Sequence, residues 1–134
     1  MTTQTTLTAQ IADLLLDGQA AQLTKLYAPD ALVDVNVPQW RYQVLGADVE
    51  PVLREEFEQP DRAVVSHRVT QIEGGVMIEA ETRFTEDGET RLWRDINIFR
   101  TDGEHIIEHT AYCTGVWDAA TIARQAVEAP MVRP

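Results

Sequence analysis

The stretch from Arg91 to Trp117, RLWRDINIFRTDGEHIIEHTAYCTGVW, constrains the fold more than any other part of the chain. Two runs rich in Ile, Phe, Trp and Tyr flank Thr101-Asp102-Gly103, the pattern of a β-hairpin. Asp95, Asn97 and His109 sit inside these runs, and an unpaired polar group on a buried strand costs roughly 1–3 kcal/mol. Such groups pair with one another, meet water or meet a ligand, so candidate chemistry concentrates here.

The turn decides which of them share a face. A two-residue Asp102-Gly103 loop sets Ile98 opposite Ile107 and Ile96 opposite His109, and turns Asp95 and Asn97 to the other face. A three-residue loop, Thr101-Asp102-Gly103 with a left-handed glycine, sets Asp95 opposite His109, Trp93 beside Ala111 and Asn97 beside Ile107. A slip of one residue exchanges the two faces. The three-residue loop is favoured, because it joins Trp93 and Phe99 to the more apolar set Ile107, Ala111 and Cys113.

Upstream, Leu7, Ile11, Leu14 and Leu15 recur at helical spacing, with Thr6 as a cap and Gly18 as a stop. A second short helix, about Gln19 to Tyr27, ends before Pro29. Ala31 to Val37 reads as a strand and Pro38 to Leu45 as a loop carrying Trp40 and Tyr42. Asp48 can cap a third helix through Phe57, with Pro51 tolerated in its first turn. Ala63 to Ile72 and Val76 to Phe84 are strands joined at Gly74-Gly75. In the second, Val76, Ile78, Ala80, Thr82 and Phe84 alternate with Met77, Glu79, Glu81 and Arg83, which makes one face buried and the other wet. Glu86-Asp87-Gly88 turns into the hairpin, and Asp118 caps a last helix through about Val127. Three helices followed by an antiparallel meander give an α+β domain with helices on one sheet face.

At 134 residues this is one domain, long enough to bury roughly two thirds of its unfolded surface. A net charge of −11 with a single lysine, Lys25, leaves no basic cluster for nucleic acid or an anionic membrane surface. No window approaches the run of about 18 apolar residues of a membrane helix. The opening MTTQTTLTAQ has neither a basic start nor an apolar core, so no secretory signal is expected. One cysteine, Cys113, forms no internal disulfide and fits a reducing cytoplasm.

Several residues admit two readings. His109 is a general base or acid oriented by Asp95, or half of a satisfied structural pair. His67 falls on the apolar side of its strand, as a core hydrogen-bonder or a pocket residue. Asp34 and Asn36 alternate with Val33, Val35 and Val37, and their face looks into a pocket or into solvent. Trp40 and Tyr42 form a pocket lid or plug the core edge. Cys113 reads as a small core residue, since no basic group is placed to stabilise its thiolate. Glu50, Glu55, Glu56 and Glu58 read as a solvated helix face. The three histidines are not spaced as a zinc set, and no phosphate-binding glycine loop is present.

The order helix, helix, short strand, helix and four-stranded meander resembles the nuclear transport factor 2-like superfamily. The likeness rests on DGQAAQLTKLYAPDALVDVNVP, the Gly46-Ala47-Asp48 helix start and NIFRTDGEHIIEHTAY, and spans about residues 7–117, with the helix 118–128 and a short tail beyond it. It implies a cone: a strongly bent antiparallel sheet enclosing a pocket that the three N-terminal helices close, in a homodimer. The superfamily includes SnoaL-like polyketide cyclases, ketosteroid isomerases and limonene epoxide hydrolases. SnoaL-like cyclases show Glu-His-Trp-Asp on the last strand, where this chain has Glu108-His109-Thr110-Ala111, the catalytic Asp replaced by Ala111. The isomerase base and oxyanion tyrosine fall at Val35 and Ile11. The hydrolase Asn-x-Pro resembles Asn36-Val37-Pro38, but its Asp-Arg-Asp set is not evident, and the last Asp falls again at Ala111.

The resulting expectation is a cytoplasmic enzyme with an apolar pocket for a hydrophobic small molecule, working without metal or cofactor. His109, oriented by Asp95, would move a proton next to a carbonyl, with Asn97, Asn36 or Trp93 donating to the oxyanion. Asp34, Trp40, His67 and Cys113 complete the candidate ligand-binding set. The alternatives are a non-catalytic ligand-binding or dimerisation module, for which Ala111 speaks, and a hydrolase whose water Asn36 and Asp34 would hold.

Overall fold

The computed structural model describes residues 3–133. Helices α1 (Thr3–Leu16) and α2 (Ala20–Thr24) lead into strand β1 (Tyr27–Val37) and strand β2 (Trp40–Leu45). A single 3₁₀ turn, Gly46–Asp48, opens helix α3 (Val49–Phe57). Strands β3 (Ala63–Ile72), β4 (Gly75–Glu86), β5 (Glu89–Thr101) and β6 (Ile106–Cys113) follow, and helix α4 (Ala119–Glu128) comes last. The strands form one six-stranded sheet in the order β2-β1-β6-β5-β4-β3, strongly curved and unclosed. Every neighbouring pair is antiparallel except β1 and β6, which run parallel.

The periodicities explain these elements. Along β4, Val76, Ile78, Ala80, Thr82 and Phe84 are buried and their alternates are not, the pattern of a sheet with one wet face. Leu7, Ile11, Ala12 and Leu15 of α1 join Leu23 of α2, Val49 and Leu53 of α3, and Ile78, Phe99 and Ile106 of the sheet in one core. Asp118 caps α4 by accepting from the Thr121 backbone N–H at 2.8 Å. Gly46 is needed for close approach: a Cβ there would lie 2.4 Å from the Ala28 carbonyl oxygen. Its absence lets the chain pass over the start of β1 and seat α3 on the core.

Three expectations are corrected. The second helix stops at Thr24 and β1 begins at Tyr27, so Tyr27 belongs to the sheet. The supposed loop carrying Trp40 and Tyr42 is strand β2, paired to β1 through a turn at Pro38 and a left-handed Gln39, φ 61°. The β5–β6 register matches neither proposed loop. Phe99, not Asp95, lies opposite His109; Asn97 lies opposite Ala111 and Asp95 opposite Cys113.

The turn chemistry accounts for the shift. The Asp102 carboxylate accepts from the backbone N–H groups of Glu104 and His105, at 2.9 and 2.8 Å, which draws both residues into the loop. A bulge follows, with Arg100 opposite Glu108 but Thr101 opposite Ile106. Ile107 is the extra residue and is 43% exposed, not on the inner face. Trp93, Asp95, Asn97 and Phe99 still share a face with His109, Ala111 and Cys113, because the slide is an even number of residues.

Candidate active site

A cavity of about 340 Å³ opens between α3 and the inner sheet face, walled by Val33, Val35, Val52, Leu53, Phe84 and Trp93. His109, Ala111 and Cys113 also border it, as does Tyr42 from β2. Its polar lining includes Glu55 and Glu56 from α3 and Gln59 just beyond it.

His109 does not meet Asp95. Its Nδ1 lies 2.7 Å from the Tyr27 hydroxyl and its Nε2 lies 2.7 Å from Asn97 Oδ1. A carboxamide oxygen only accepts, so Nε2 carries the proton and Nδ1 accepts from Tyr27. The ring stacks on Phe99 with centroids 4.1 Å apart and is 2% exposed. Burial pushes its pKa down to about 3, so it is neutral at physiological pH. With both nitrogens engaged, His109 has no lone pair to offer a substrate. The Tyr27 and Asn97 contacts make it a brace between β1 and β5, and Asp95 has no part in orienting it.

Asp95 instead accepts from the Trp93 indole N–H at 3.0 Å. Hydrogen bonds from Trp93 and Asn97 favour its ionised form, but burial outweighs them and raises its pKa. Because His109 occupies Asn97 Oδ1, the amide nitrogen of Asn97 is the end turned to Asp95. Trp93 and Asn97 are therefore committed to Asp95, and neither is free for a substrate oxyanion.

The group facing Asp95 is Glu56, which the sequence reading placed on a solvated face. Glu50 and Glu58 do lie outward, both paired with Arg54. Glu56 turns inward and borders both the main cavity and a void of about 10 Å³ shared with Arg62, Asp95 and Asn97. Burial first, then the neighbouring Asp95 charge, lifts its carboxyl to about 7, with Arg62 opposing. Two carboxyls in one low-dielectric site cannot both ionise cheaply, so the pair holds a proton near neutrality. Arg62 is oriented by the carbonyls of Leu15 and Leu16 at the end of α1, both at 3.5 Å, and lies over the Phe57 ring. The signal for Glu56 was in the sequence: it falls three, four and seven residues after Leu53, Val52 and Val49, on the apolar stripe of α3.

The remaining candidates scatter. Asp34 points to the outer sheet face, where Arg41 grips its carboxylate at 2.7 and 2.9 Å and holds its pKa low. Asn36 donates to the Ala111 carbonyl at 3.2 Å. Neither borders the cavity. Trp40 is 70% exposed, and His67 is exposed beside Arg68 and Glu79 in a polar surface depression. Cys113 borders the cavity, but burial pushes its thiol up to about 11. Tyr42, read as a pocket lid or a plug of the core edge, borders the cavity, and burial together with the Glu56 and Glu55 charges raises its pKa. Among the described residues no three His, Cys, Asp or Glu side chains converge as a metal site, and no helix is long and apolar enough to cross a membrane.

No protein-family model matches the chain, and no curated protein does. Solved structures do. An NTF2-like protein from Anabaena variabilis aligns with a TM-score of 0.66 at 15% identity, over 84% of this chain and 90% of that one. An NTF2-like protein of unknown function from Cytophaga hutchinsonii aligns at 0.64 and 19% identity, over 82% and 98%. The chain has the NTF2-like fold. A candidate SnoaL-like polyketide cyclase from Shewanella putrefaciens covers most of it, 95% of this chain and 98% of its own, at 0.61 and 14% identity. Within this NTF2-like fold the strand order puts β6 beside β1, so Tyr27 and His109, 82 positions apart, are in contact.

Proposed function

We propose that this NTF2-like protein is an enzyme that moves a proton next to a carbonyl in a hydrophobic small molecule, as isomerases and cyclases do. The Glu56 carboxyl, on the wall of an apolar cavity and beside a second buried carboxyl, carries this reading. A base poised near the working pH removes a carbon-bound proton best. Glu56 takes the α-proton, and the Tyr42 hydroxyl donates to the developing enolate oxygen across the cavity. Return of the proton from Glu56 to another carbon isomerises the substrate. Attack of the enolate carbon on a second carbonyl of the same molecule closes a ring; the new alkoxide takes a proton from Tyr42, and the proton held by Glu56 returns to the Tyr42 phenolate through solvent, restoring both groups. Protons alone are exchanged, so the residues present suffice. The likeness to a candidate polyketide cyclase is consistent with this class of chemistry.

The role of His109 in this scheme is structural: it fixes Asn97, and through Asn97 the carboxyl of Asp95. The test is exchange of α-hydrogens in hydrophobic ketones dissolved in heavy water, followed by proton NMR. Glu56→Gln should slow exchange by about 10²–10⁴-fold while ligands still bind. The parent rate should rise with pH as Glu56 ionises near 7, and Asp95→Asn should move that midpoint down by removing a like charge. Exchange unaffected by Glu56→Gln overturns the assignment.

A further inference from the structure

We propose that the cavity selects an apolar molecule bearing a protonated amine, and turns carboxylates away. This rests on Glu56 as the base of the same cavity and names the substrate class it would serve: a hydrophobic carbonyl compound carrying an ammonium group.

The polar lining is mostly accepting, with the neutral Tyr42 hydroxyl as its donor. Glu55, Glu56 and Glu86 present carboxylates to the cavity, and Gln59 adds a carboxamide. Gln59 spends its amide N–H on the Glu55 carbonyl at 2.7 Å. Its Oε1 is buried and has no hydrogen-bond partner among the described residues. An orphaned buried acceptor is costly, and this one sets a partial negative charge beside the cavity with no donor to balance it.

Countercharge is missing from the lining. No Lys or Arg borders the main cavity among the described residues, and His109 is neutral with both nitrogens occupied. Arg62 lies behind Glu56 in the smaller void, turned to the carbonyls that end α1. Arg91 divides its charge between Glu86 and Glu89, at 3.6 and 3.4 Å. A carboxylate entering here would meet three acids and no cation. An ammonium would meet acceptors, and the aromatic side chains of Tyr42, Phe84 and Trp93 border the same space, where a cation gains from proximity to a ring. The net charge of −11 draws cations toward the molecule from a distance.

The experiment is calorimetric titration of the whole protein at low salt and pH 8 with three probes sharing one frame: 3-phenylpropylamine, 3-phenylpropan-1-ol and 3-phenylpropanoate. The amine should bind about tenfold tighter than the alcohol, the value of one good charge-assisted contact, and the carboxylate weaker than either. In the Glu55→Gln/Glu86→Gln double variant, both changes being at exposed positions, the amine should fall toward the alcohol while the alcohol keeps its affinity. Equal binding of amine and alcohol, binding of the carboxylate as well as the alcohol, or no binding by any probe overturns the proposal. So does an amine preference that survives both the double variant and the triple variant that adds Glu56→Gln, which would belong to acids elsewhere on the surface. Hydrogen exchange in neutral ketones reads the base separately: exchange without amine preference removes only the selectivity, and amine preference without exchange removes only the catalytic reading.

Discussion

Replacing Glu56 by glutamine should stabilise the protein at pH 8 and leave it nearly unchanged at pH 5. In the fold the carboxyl is lifted from 4.5 to about 7. One pKa unit is about 1.4 kcal/mol, so ionising Glu56 inside the fold costs about 3 kcal/mol more than in the unfolded chain. Glu56 is half-buried and faces an open cavity, and screening by water there reduces the figure to about 2 kcal/mol. Below 4.5 both states hold the proton and the fold carries no penalty. Between 4.5 and about 7 the unfolded chain releases its proton first, so stability falls as pH rises, and above that range the loss is complete. Asp95, also raised by burial, contributes with the same sign.

Glutamine keeps the shape and never ionises, so the variant should lack this slope. Urea denaturation at several pH values between 5 and 8, followed by circular dichroism, gives both curves. The difference between variant and parent should grow with pH to about 2 kcal/mol in the variant's favour. A difference constant with pH would mean that the carboxyl is as well solvated in the fold as outside it. The low-dielectric pairing with Asp95 would then be wrong, whatever the outcome of the exchange assay.

His109→Phe keeps the stack on Phe99 but strands Tyr27 and Asn97; it should cost about 2–4 kcal/mol in urea denaturation. In the parent, nitrogen NMR should find His109 neutral, with the proton on Nε2, from pH 5 to 8; titration near its ordinary value of 6.5 would contradict the burial described. Cys113, its thiol raised from 9 to about 11, should react with iodoacetamide at pH 8 about 100-fold more slowly than an unhindered thiol. A rate like that of glutathione would place it in water.

Local pattern carried much of this molecule in its sequence. Alternation fixed the buried face of β4, helical spacing gave α1 and α3, and Asp118 marked the start of α4. Even Glu56 was legible, because its place on the stripe of Val49, Val52 and Leu53 forces it inward whatever its charge. Periodicity reports which way a side chain faces, since 3.6 and 2 residues per repeat are properties of the backbone itself. It does not report what lies opposite. The β5–β6 register depended on the Asp102 carboxylate capturing two backbone N–H groups and on a bulge at Ile107, details smaller than the pattern's resolution. The pairing of Tyr27 with His109 required β1 to lie parallel to β6. The meeting of Glu56 with Asp95 required two side chains 39 positions apart to border one small void, which only the packed core sets. Sequence thus determined most of the elements and their faces, and tertiary packing alone decided that Glu56 meets Asp95 beside the cavity and that His109 braces β1 to β5.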